Sequence, residues 1–134
     1  MGTWGIGSFE NDDAADFVYE IEDAPTVATL RRALDHATGQ IAAGDYLEAP
    51  VCASAVAAAE FLAALKNSDP SALSPSGQEV FSQFEARPSE DDLNLARAVI
   101  ERVMKDSELA ELFAESGNLD DWLAAMEALR ARLG

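Results

Sequence analysis

The chain has 134 residues, of which 49% are hydrophobic and 25% charged, enough for one domain with its own core and too apolar for a disordered acidic tail. Twenty-five acidic residues against nine lysines and arginines give a formal charge of −16, which repels phosphate backbones and anionic membranes and excludes nucleic acid as a direct partner. The lone cysteine, Cys52, cannot form an internal disulfide and points to a reducing, cytoplasmic setting.

The chain opens Met1-Gly2-Thr3-Trp4-Gly5-Ile6-Gly7-Ser8-Phe9, with neither the basic nor the apolar region of an export signal. Ile6 stands where N-myristoylation asks for Ser or Thr. Asn11 then offers an N-cap, Asp12 and Asp13 suit the positive end of a helix dipole, and Ala14, Phe17, Val18 and Ile21 fall at helical spacing. The first helix is expected from about Asp12 to Glu22.

Pro25 fits the first turn of a second helix with a stripe of Val27, Leu30, Leu34 and Ala37, and Gly39 is expected to be its left-handed stop. Gln40 to Glu48 reads as a connection. Pro50 then opens a long Ala-rich helix to Lys66, with Val51, Ala55, Val56, Ala59, Leu62 and Leu65 facing inward. Its alanines let neighbouring backbones approach closely, so it is the expected central helix. Ser54 and Glu60 interrupt its apolar run, and no membrane span is expected.

Asn67 to Ser76 is loop-like, and Val80, Phe81 and Phe84 mark a short helix ended before Pro88. Ser89 caps the next helix, whose stripe of Leu93, Ala96, Val99, Ile100 and Val103 runs to about Lys105. Leu109, Leu112 and Phe113 form another short helix stopped by Gly117. Asn118, Asp120 and Asp121 begin the last, which carries Trp122, Met126, Leu129 and Leu133. No alternating Val/Ile/Thr run appears, so the expectation for residues 1–134 is one all-α domain of about six or seven helices around the Ala-rich helix.

Gly2, Gly5 and Gly7 lack the further glycine and preceding strand of a dinucleotide cradle, and Glu10, Asp12 and Asp13 would repel a phosphate there. Residues 1–11 read instead as a clasp in which glycines let the backbone turn while Trp4, Ile6 and Phe9 anchor it. Asp12, Asp16 and Glu20 recur every fourth residue and stack along one helix face. One helix face cannot supply a whole cation site, and the calcium-loop spacing is absent, so no metal or cofactor is expected. His36 is the only histidine, which rules out two-histidine metal sites within the chain and leaves it as a surface side chain of the second helix. Cys52 lies among alanines, a setting that makes a thiol inert.

Met1-Gly2-Thr3-Trp4-Gly5, with Gly7, Phe9-Glu10-Asn11-Asp12, Ala14 and Asp16-Phe17, resembles the opening of a bacterial family of small acidic proteins catalogued as a domain of unknown function. The resemblance implies a cytoplasmic bacterial protein and carries no activity, cofactor or catalytic residue. No catalytic residue is assigned from the residues themselves either.

The favoured reading is a non-enzymatic acidic interaction protein, of the inhibitor or immunity type, that binds a basic protein through Trp4, Glu10, Asp12, Asp13, Asp16 and Glu20. The runner-up is a metal-assisted hydrolase using Asp12, Asp16 and Glu20 with acids from another helix. Self-association through Phe81, Phe84 or Trp122 is a third reading.

Overall fold

The computed structural model describes residues 5–134, and among the described residues there are seven helices and no strand. In chain order they are α1 (Asp12–Asp23), α2 (Val27–Ala42), α3 (Ala49–Asn67), α4 (Pro75–Phe81), α5 (Glu90–Lys105), α6 (Glu108–Ser116) and α7 (Leu119–Leu133).

Helix α3 sits at the centre because its sequence has no polar face to give to water. From Cys52 to Leu65 every residue except Ser54 is buried, and α1, α2, α5, α6 and α7 all pack on it. The expected inward stripe is therefore too narrow: this helix is buried all round, and of the stripe only Val51 is half-buried. By length and composition α3 could cross a membrane, yet 72% of its apolar window is buried inside the fold. One continuous core joins it to Phe17, Leu34, Ile100, Trp122 and Met126.

Most helix starts follow their local chemistry. Asn11 Oδ1 accepts the Ala14 N–H at 2.7 Å, and Ser107 Oγ accepts that of Ala110 at 3.1 Å. Ser89 and Asp92 form a reciprocal capping box. Helix α3 differs, because Glu48 makes no side-chain cap. The Glu108 carboxylate at the start of α6 accepts the Ala49 N–H at 2.7 Å instead, while the Glu108 N–H donates to Leu47 O. Two helix starts are thus held by one residue.

Four details correct the sequence reading. Pro25 lies before α2 rather than in its first turn, and Thr26 is the N-cap, its side chain accepting the Thr29 N–H. Gly39 is an interior residue of α2, and the left-handed glycine is Gly44, with φ 75°. Ile41 packs against the core, which favours the extra turn past Gly39. Phe84 lies beyond the end of α4 but still meets Phe61, with ring centroids 5.8 Å apart. Trp122 is 1% exposed and stacks on Phe113 at 5.2 Å, so it offers no surface for self-association, and Phe81 and Phe84 are half-buried against the core.

The loop before α1 lies across α3. Phe9 packs edge-on against Phe61 with centroids 6.0 Å apart, and Ser8 Oγ donates to Glu60 Oε2 at 2.6 Å. Ile6 and Ser8 roof a chamber of about 10 Å³ beside Trp122, room for about one water. Trp4 lies outside the described residues.

Candidate functional site

Helix α1 divides its residues cleanly. Ala14, Phe17, Val18 and Ile21 are buried, which turns Asp12, Asp16, Tyr19 and Glu20 outward and leaves Asp13 half-buried. Among the described residues, no ion pair involves any carboxylate of α1. The basic side chains that do form ion pairs meet acids elsewhere, as Arg31 meets Asp35 and Asp92, and Arg130 meets Glu101 and Glu127. Among the described residues, the carboxylates of α1 therefore stand at the surface without an ion-pair partner.

Beside that face runs a groove lined by residues of α1, α2 and α3. Two depressions of about 360 Å³ each share Phe17, Glu20, Ala33, His36 and Ser54 and so form one trough. One end adds Asp13, Asp16, Pro50 and Val51; the other adds Thr29 and Arg32. The α1 wall recurs as Asp13, Asp16, Phe17, Glu20 and the α2 wall as Thr29, Arg32, Ala33, His36. Both follow i, i+3, i+4, i+7, so each helix turns one two-turn face into the trough. Ala33 and Ser54 are small, and the floor is more apolar than polar, formed by the half-buried Val51 and the little of Phe17 that is exposed.

The six residues singled out from the sequence fare differently. Asp13, Asp16 and Glu20 are brought together on the groove. Asp12 is exposed on α1 but does not line it. Glu10 folds back on its own loop, where Oε1 accepts the Gly7 N–H at 3.0 Å. A Cβ on Gly7 would collide with that carboxylate, so glycine is what lets the two groups meet. The Gly7 N–H, which a phosphate would need, is thereby taken by an internal anion. Trp4 lies outside the described residues.

Arg32, Ala33, His36, Val51 and Ser54 were not singled out as site residues. The shared i, i+3, i+4, i+7 spacing on the first two helices is the signal that could have found the α2 wall, but only the fold shows that the two faces flank one trough. Arg32 is exposed and has no hydrogen-bond or ion-pair partner among the described residues, although acids outnumber bases in this chain by 25 to nine.

Other reactive groups do not converge. Cys52 is fully buried, its thiol is pushed up to about 11 by burial, and its sulfur donates to Leu47 O. Among the described residues, no group of three or more His, Cys, Asp or Glu side chains is arranged to hold a metal ion. Asp16 and Glu20, which the hydrolase reading needs beside acids from another helix, share their depression with His36 from α2, and Glu20 also shares one with Arg32.

A family model described as Domain of unknown function (DUF4259) matches residues 2–125. No curated protein and no solved structure matches the chain.

Proposed function

We propose that this chain, which belongs to the DUF4259 family of unknown function, is a non-enzymatic acidic interaction protein of the inhibitor or immunity type that binds a basic protein partner through α1. One observation carries the reading: Asp13, Asp16 and Glu20 stand on an open groove with an apolar floor, and among the described residues no carboxylate of α1 is neutralised by an internal ion pair. Charged rims steer association, while an apolar floor gives the contact area to hold it. The setting is bacterial and cytoplasmic, in keeping with the buried free thiol of Cys52. The clasp reading of residues 1–11 is supported, in their described part, by the Ser8–Glu60 hydrogen bond and the packing of Phe9 on Phe61.

The test is capture from native lysate on the immobilised protein and on two variants of equal charge change. One variant carries D13N, D16N and E20Q; the other carries E79Q, E85Q and E115Q, at exposed positions away from the groove. A basic protein should be retained by wild type and by the second variant and lost by the first. Its association rate should fall steeply with salt as the Debye length shrinks from about 10 Å at 0.1 M to about 3 Å at 1 M. Equal retention by both variants, or no basic protein at all, overturns the reading.

A further inference from the structure

The groove is charged unevenly along its length, and this says more about its occupant than the net charge does. Asp13 and Asp16 stand at one end, Glu20 at the middle and Arg32 at the other end. An acidic surface built only to gather cations gains nothing from an arginine that has no ion-pair partner among the described residues, because that arginine repels the same guest. A guest with an anionic group at the matching end turns the repulsion into a pair.

Resting on the reading of α1 as a basic-partner surface, we propose that the groove is a docking slot for one amphipathic helix of the partner. That helix presents lysines or arginines to Asp13, Asp16 and Glu20 and an acidic side chain to Arg32. The trough is bounded by two helix faces, each spanning i to i+7, or about 10 Å of helix axis. This is the length over which a third helix lying between α1 and α2 makes two turns of contact. Large apolar residues on its underside meet Phe17 and Val51, and the small Ala33 and Ser54 leave room for them. The flanking charges act as they do beside a coiled-coil seam, setting orientation and partner choice.

The experiment uses the whole chain and two synthetic amphipathic helical peptides with the same leucines and lysines. One carries glutamate, and the other glutamine, at the position meant for Arg32. Isothermal titration is run against wild type and R32E, whose folding is checked by circular dichroism; Arg32 is exposed, so the substitution leaves the core untouched. Wild type should prefer the glutamate peptide by about twofold to fivefold, the range of an exposed ion pair, and R32E should reverse the order. Amide shifts in the NMR spectrum should map to the groove residues of α1, α2 and α3. Equal binding of both peptides to wild type, with R32E strengthening both, overturns the slot and leaves α1 as a diffuse acidic surface. Failure of either peptide to bind wild type at millimolar concentration and low salt overturns the slot and the reading it rests on together.

Discussion

Glu60 and Arg132 meet at 2.7 Å between Oε1 and Nη1, although 72 residues separate them in the chain. The Glu60 side chain is 6% exposed and that of Arg132 38%, and Ser8 Oγ donates to the other carboxylate oxygen at 2.6 Å. One buried acid on the central helix therefore ties the N-terminal loop and the last helix to α3. Removing Arg132 as R132A leaves a buried carboxylate with one hydrogen bond. A loss of about 1–3 kcal/mol is expected, below the cost of breaking a fully buried pair because water reaches the arginine side. Replacing both partners by methionine should recover most of that loss. Urea unfolding of the two single methionine variants and the double variant measures the coupling, and strict additivity would show that the pair contributes nothing.

Asp92 links a helix cap to a tertiary ion pair. Its Oδ2 accepts the Ser89 N–H at 2.9 Å and its Oδ1 meets Arg31 Nη1 at 2.8 Å. Burial pushes this carboxyl up, but the hydrogen bonds from Ser89 and Arg31 outweigh it and hold the group below the ordinary carboxylate range. A depressed pKa in the folded state means that the contribution is present above the unfolded value of about 3.9 and fades as pH falls below it. D92N should therefore be less stable than wild type at pH 7, by about 0.5–2 kcal/mol, and the gap should narrow below about pH 4. Urea midpoints at pH 7 and pH 3 test this, and a gap independent of pH would contradict it.

Gly39 and Gly44 should respond to alanine with opposite signs. Gly39 is interior to α2 with open space where a methyl group would stand, whereas Gly44 holds φ 75°. G39A should stabilise by about 0.5–1 kcal/mol through helix propensity. G44A should destabilise by about 1–2 kcal/mol because an L side chain resists the left-handed region. Thermal unfolding of the two variants decides it, and a destabilised G39A would mean that α2 ends before this residue.

Cys52 is fully buried with its thiol pushed up to about 11 by burial. At pH 8 it should resist a thiol reagent in the native protein and react fully in denaturant. The labelling rate under native conditions should track unfolding, so agents that stabilise the fold should slow it. Fast native labelling would contradict the burial of this side chain.

Much of the fold is local chemistry and could be read directly. Asn11, Ser89 and Gly117 mark helix boundaries because a cap or a left-handed stop is set by residues within a few positions of one another. Gly39 misled for the complementary reason: a glycine permits a stop but does not impose one, and packing of Ile41 on the core decides that the helix goes on. Glu108 as the cap of α3 had no local signal, since it comes from 59 residues away.

The all-α class, the central place of the Ala-rich helix and the run of acids before Arg31 are legible in the chain alone, because helical periodicity, side-chain size and charge are properties of the residues themselves. Folding was needed to show that Asp13, rather than Asp12, joins Asp16 and Glu20 on the groove, and that Arg32 and His36 stand in the same trough. The rotation of α1 about its axis is fixed by burying Ala14, Phe17, Val18 and Ile21, and that of α2 by burying Leu30, Ala33, Leu34 and Ala37. Those are contacts between distant segments, so the neighbours of a surface charge follow from them and not from its place in the chain.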